Sequence, residues 1–138
     1  MELTLQDEQH VAGLGRICVP HAGTLPHTLT LSLWSGTALL ASANASIDAE
    51  CSRADANHMV WAVLARPMTL AAGQPYVISS TETGADAFYG TGGSGMPPAA
   101  SPRVLSAVPA WRSSSADPWT VLTTTTGHMY GPVNALLL

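Results

Sequence analysis

Polar and apolar positions alternate most cleanly in "HTLTLSLW", residues 27–34, where Thr28, Thr30 and Ser32 separate Leu29, Leu31 and Leu33. A period of two with hydroxyl residues on one side describes a strand with one buried and one wet face. Ser35-Gly36 punctuates the pattern, and "TALLASANA" (37–45) resumes it. The two segments read as a hairpin turning at Ser-Gly. Upstream, in "LGRICVP" (14–20), Leu14, Arg16 and Cys18 alternate with Gly15, Ile17 and Val19. Ile17 and Val19 set the inner face by their hydrophobicity, and Pro20 ends the strand.

Further along, "HMVWAVLA" (58–65) is short and almost wholly apolar, the pattern of a central strand covered on both sides. Residues 66–82 divide at Gly73-Gln74-Pro75, with Tyr76, Ile78 and Ser80 on one face of the second part and Val77, Ser79 and Thr81 on the other. "RVLSAV" (103–108) and "TVLTTTT" (120–126) have strong β propensity. Residues 46–57 have no clean period and read as a polar loop with a helical turn. The sequence predicts no amphipathic helix, repeat or domain boundary. The expectation is one all-β domain over 1–138, an antiparallel β-sandwich of jelly-roll type with about eight short strands. Residues 1–12 form a loosely ordered lead-in, and 83–102 a long loop of the kind that is usually functional or disordered.

The greasiest stretch is the closing "GHMYGPVNALLL" (127–138). A last strand slotting into a sheet would account for Val133 and Leu136, and a surface that meets a partner would serve as well. Strict alternation then leaves Leu137 outside. Leu137 and Leu138 are therefore the expected contacts with another protein.

Composition suits this picture. With 138 residues the chain can bury about 68% of its unfolded surface, enough to fold without a staple. Charged residues are only 10% and the net charge is −4. All five basic residues are arginines, scattered at 16, 53, 66, 103 and 112. No basic stripe exists to neutralise phosphates or anionic lipid, so neither nucleic acid nor a lipid surface is an expected partner. No stretch approaches the roughly 20 apolar residues of a membrane span. The acidic "MELTLQDEQH" start does not read as a signal peptide. The compartment stays open between an intracellular one and an exported one whose signal has been removed. Cys18 and Cys51 are expected as free, partly buried thiols, and as a disulfide if the domain is secreted. Asn44-Ala45-Ser46 is an N-glycosylation pattern with meaning only in that second setting.

Catalytic chemistry finds little support. His10, His21, His27, His58 and His128 show no metal-ligand spacing, and no Cys-x-x-Cys is present. "GGSGM" (92–96) lacks the second glycine of a nucleophile elbow. Asp86, His128 and a serine could be drawn as a triad, but nothing in their spacing favours it. The expectation is a non-enzyme with no resident metal or cofactor. Calcium is the one ion the chain could take, through Asp48, Glu50, Asp55 and Asn57, although Arg53 in their midst opposes a cation. Glu82 and Asp86 form an alternative oxygen pair.

Eight aromatic residues remain for recognition. Trp61 and Tyr76 lie in apolar strands and are assigned to the core. Phe88, Tyr89, Trp111 and Trp119 sit in loop-like stretches and form the exposed set a sugar could stack on, with Glu82 and Asp86 beside them. Low charge, a wet face of Thr and Ser and an apolar tail fit a structural or protein-interaction module of a larger assembly better. A carbohydrate-binding module using the loop aromatics is the second reading.

Three segments, "PHTLTLSLW…GTALLASA", "MTLAAGQPYVISSTETGADAFY" and "GHMYGPVNALL", together resemble the signature of poorly characterised extracellular β-sandwich modules of bacterial and some algal proteins. The likeness runs from about Leu14 to Leu136. It implies a two-sheet sandwich with Tyr130–Asn134 as its closing strand, a binding or structural role beside carbohydrate-active or adhesive domains, a surface or extracellular location, and no reaction. The chain departs from that pattern at Gly84-Ala85-Asp86-Ala87-Phe88-Tyr89 and in the Gly-rich insert at 90–102.

Overall fold

A computed structural model of the chain describes residues 1–18, 20, 25–56, 58–81, 104–108, 110–111, 120–121 and 133–138, the side chains of 104–108, 110–111, 120–121 and 134 excepted. The described residues are all-β. Strands β1 (Glu2–Leu5), β2 (Gln9–Ile17), β3 (His27–Ser35), β4 (Ala38–Ile47), β5 (Met59–Leu70) and β6 (Pro75–Ser80) are followed by β7 (Val104–Val108), β8 (Ala110–Trp111), β9 (Thr120–Val121) and β10 (Val133–Leu137). The expected eight strands are not reproduced one for one, and among the described residues β8 and β9 are two-residue pieces paired with each other.

Two antiparallel sheets share one core. The larger has the order β4-β3-β6-β1-β7, the smaller β10-β2-β5. Leu29, Leu31, Leu33 and Ile78 from the larger meet Val11, Leu14, Val60, Leu64 and Val133 from the smaller. Pairing among the first six strands is nested: β3 with β4, β2 with β5, and β1 with β6. Successive nested pairs fall in alternate sheets, so the chain wraps round its own core instead of meandering.

The Leu-alternating segment folds as its pattern dictates. Leu29, Leu31 and Leu33 are fully buried, and Thr28 is exposed. The hairpin turns through Gly36-Thr37, with Gly36 at φ +55°, the left-handed first position of a type II′ turn. The break at Gly73-Gln74-Pro75 also holds: β5 stops at Leu70 and β6 starts at Pro75. Tyr76 is buried, and its hydroxyl accepts from Ala71 N at 2.9 Å, fixing the corner between the two strands. Val77 is buried as well, so β6 is covered on both faces at its start. Trp34, opposite Val77 in the ladder, donates from Nε1 to Ser79 Oγ at 3.0 Å on that outer side.

Several expectations are corrected. Most of residues 1–12 lies in strands β1 and β2, not in a loose lead-in. β1 lies between β6 and β7, and Leu3 and Leu5 are buried. Met1 extends this ladder, donating from its amine to Ile78 O at 2.7 Å and accepting from Ile78 N at 2.8 Å. The faces of β2 are the reverse of the hydrophobicity ranking. Leu14, Arg16 and Cys18 point into the core, while Ile17 is only half-buried. Cys18 is bonded to Cys51, which fixes that parity and replaces the expected free thiols. Arg16 is 3% exposed, and its Nη1 donates to Ile17 O. Finally, among the described residues β5 pairs only with β2 and so stands at the edge of its sheet, not at the centre, and Val63 on its outer face is 75% exposed. A strand apolar on both faces is the ambiguous case of pattern reading, because no polar stripe marks the side that faces water.

Candidate functional site

The outer face of the smaller sheet gathers apolar side chains over glycine. β2 contributes Gly13, Gly15 and Ile17, β5 contributes Met59, Trp61 and Val63, and β10 contributes Leu136. In register, Leu136, Gly13 and Val63 form one row across the three strands. Gly15 pairs with Trp61 in the next row and Ile17 with Met59 beyond it. Val63 and Leu136, which is 38% exposed, are the open end of the strip. Trp61, Met59 and Ile17 are half-buried. No charged side chain interrupts these rows.

The floor is low because it must be. A Cβ on Gly15 would lie 2.6 Å from Trp61 Cζ3, 2.7 Å from Cε3 and 2.8 Å from Met59 Cε. The six-membered ring of the indole occupies the space where residue 15 would otherwise place a side chain. On Gly13 a Cβ would stand 3.1 Å from Ala62 O and 3.7 Å from Leu136 Cβ.

The indole is fixed from its other end by the loop between β4 and β5. Trp61 Nε1 donates to Asp55 Oδ2 at 2.8 Å, and Met59 N donates to Asp55 Oδ1 at 3.0 Å. The backbone closes the same turn, with Asp55 N donating to Met59 O and His58 N to Asp55 O, both at 2.9 Å. Asp48 organises the first half of the loop, accepting from Ser52 N at 2.9 Å and from the Ser52 hydroxyl. These bonds, the Ser52 hydroxyl first, hold the Asp48 carboxyl below its ordinary value. Two residues there take the left-handed backbone, Cys51 at φ +54° and His58 at φ +60°. Both are pinned, Cys51 by the disulfide and His58 by its carbonyl accepting from Cys18 N at 2.7 Å. The expected helical turn at 46–57 is thus a pair of Asp-capped turns following a β4 that runs to Ile47.

Of the residues nominated from sequence, Glu82, Asp86, Phe88, Tyr89, Trp119 and Asn57 lie outside the described residues, as do His21, His128 and the 83–102 loop. Trp111 is placed by its backbone in β8, opposite Thr120. Asp48 and Asp55 already accept internal hydrogen bonds, and Glu50 is exposed. Among the described residues no three His, Cys, Asp or Glu gather as metal ligands. Of the closing leucines, Leu137 packs against the core and Leu136 faces out, the reverse of the expected parity. Val133, Ala135 and Leu137 share the inner side. Leu138 is 64% exposed, and its N donates to His10 O at 2.9 Å. The strip of Trp61, Val63 and Leu136 was not visible as a unit in the sequence. The one available signal was the repeated glycine of "AGLGR", since glycine inside a strand marks a close approach.

No family model, no curated protein and no solved structure matches the chain. Among the described residues no helix is long and apolar enough to cross a membrane.

Proposed function

We propose that this domain is a non-catalytic structural or protein-interaction module, and that it docks through the outer face of the β10–β2–β5 sheet. The observation that carries the reading is the uncharged strip of Val63, Leu136, Trp61, Met59 and Ile17 over Gly13 and Gly15. A patch whose strand positions carry no charge, with the Asp55 carboxylate at its margin, is held to its partner mainly by burial and shape. The matching partner is a neighbouring protein domain that presents an apolar surface of its own. The nested strand pairing supports a jelly-roll reading of the sandwich. The Cys18–Cys51 bond supports residence in an oxidising compartment, in keeping with the resemblance to extracellular modules.

Val63→Asp tests the docking reading, because the side chain is exposed and contributes little to the core. The native protein is expected to elute within a large complex from the cells that make it, and the variant to elute alone with an unchanged melting temperature. Elution of the native protein alone overturns the reading. So does retardation of the native protein in a polysaccharide affinity gel, which would install the carbohydrate-binding reading in its place.

A further inference from the structure

Asn44 stands within Asn44-Ala45-Ser46 on β4, which among the described residues is the edge of the larger sheet. We infer that Asn44 is a site of N-linked glycosylation and that its glycan covers the β4 edge.

Four observations converge. Asn44 and Ser46 are two apart on one strand, so both side chains leave from the same face, and both are exposed. The surroundings are open: Thr28, Ser42 and Ser46 are exposed, and none is charged or bulky. The side-chain amide is hydrogen-bonded within the sheet. Thr30, its ladder partner, donates from Oγ1 to Asn44 Oδ1 at 3.2 Å, engaging the oxygen and not the nitrogen. That bond survives modification, because the sugar is carried on Nδ2. The Cys18–Cys51 bond supports the oxidising compartment proposed above, on which this inference rests and in which such transfer occurs.

The edge supplies a reason for the modification. β4 runs ten residues, Ala38–Ile47, without a proline or a charged side chain, and Leu39 is exposed upon it. Natural sheets protect such edges with lysine, proline or a cover, because bare strand edges template pairing with other chains. β5 carries Arg66 and Pro67, whereas β4 carries neither device. Among the described residues nothing pairs with the free side of β4, and a glycan at its middle covers that side.

The transfer balances with one co-substrate, a lipid-diphosphate-linked oligosaccharide. The Asn44 Nδ2–C1 bond forms, the C1–O bond to the diphosphate breaks, and the Nδ2 proton leaves with the lipid diphosphate. The chain also offers a convenient readout. Cleavage at Arg16 and Arg53 releases a single peptide, 17–53, holding Cys18, Asn44 and Cys51 and no other asparagine.

Mass analysis of that peptide, from protein secreted by the cells that make it, is the test. The expected result is a hexose-bearing peptide that gains two hydrogens on reduction. Enzymatic removal of the glycan in heavy-oxygen water should convert Asn44 to labelled aspartate. Ser46→Ala, which keeps the asparagine and its bond to Thr30, should lose the sugar and retain the disulfide. An oxidised peptide with bare Asn44 overturns the glycan while leaving the compartment standing. A reduced peptide with bare Asn44 overturns both. If Ser46→Ala stays monomeric at concentrations that leave the glycosylated protein monomeric, the sugar is not the edge cover.

Discussion

Trp61 stands opposite Gly15 in the β2–β5 ladder, and its ring fills the side-chain space of that glycine. The neighbour cannot yield cheaply, because Asp55 holds the indole nitrogen at 2.8 Å. Gly15→Ala is therefore expected to cost about 1–3 kcal/mol, the range for forcing extra volume into a packed site. In a Trp61→Ala background the same substitution should cost much less. Chemical denaturation of the four proteins of this cycle measures the coupling, and additive costs would refute the contact.

Asp55 joins the loop to that ring through two acceptor bonds. Asp55→Ala should lower stability by about 1–2 kcal/mol and shift tryptophan emission to longer wavelength as the indole is released. Since Asp48 and Asp55 already serve as acceptors, the melting temperature should be the same in chelator and in excess Ca²⁺. A rise with calcium would reveal a site.

The disulfide links residues 33 apart, from the end of β2 to the loop before β5. Chain-entropy arguments give such a closure about 4 kcal/mol of stability. The Cys18→Ala, Cys51→Ala double variant should lose a comparable amount. In the native protein, thiol alkylation in denaturant without reductant should label neither cysteine.

The Met1 amine is buried against Ile78 O, and burial lowers its pKa from 8.0 to about 5, opposed in part by the Glu2 charge. The unfolded chain binds the proton more tightly, so stability rises with pH across this window. The contribution is full above the unfolded value and is lost as pH falls from about 8 to about 5, by on the order of 4 kcal/mol. Denaturation at several pH values should reveal that slope in a chain beginning at Met1. A chain extended before Met1 offers an uncharged peptide N–H at the same place and should be flatter.

How much of this was readable in advance depends on what each residue had to contrast with. Leu29, Leu31 and Leu33 announced their face because Thr and Ser stood between them. The break at Gly73-Gln74-Pro75 was equally plain. On β2 the contrast misled: glycine, arginine and isoleucine ranked by hydrophobicity put Ile17 inside, but a disulfide and a tryptophan across the ladder decided otherwise. On β5 both faces were apolar, and in 135–138 there was only one polarity, so parity had to come from pairing. Trp61 looked like core because an aromatic in an apolar strand usually is. Its half-exposed place follows from Gly15, 46 positions earlier, and no local window contains both.

The nested pairing also orders events in time. β3 and β4 are joined by a two-residue turn and can meet as soon as they exist. β2 must wait for β5, and β1 for residues 75–77 and then for 104–108. During synthesis Leu3 and Leu5 therefore remain uncovered until most of the chain has been made. Contacts so distant along the chain fold slowly. The interval before β1 is enclosed is when this protein is most open to mispairing, and a helper acting then would find its target at residues 2–5.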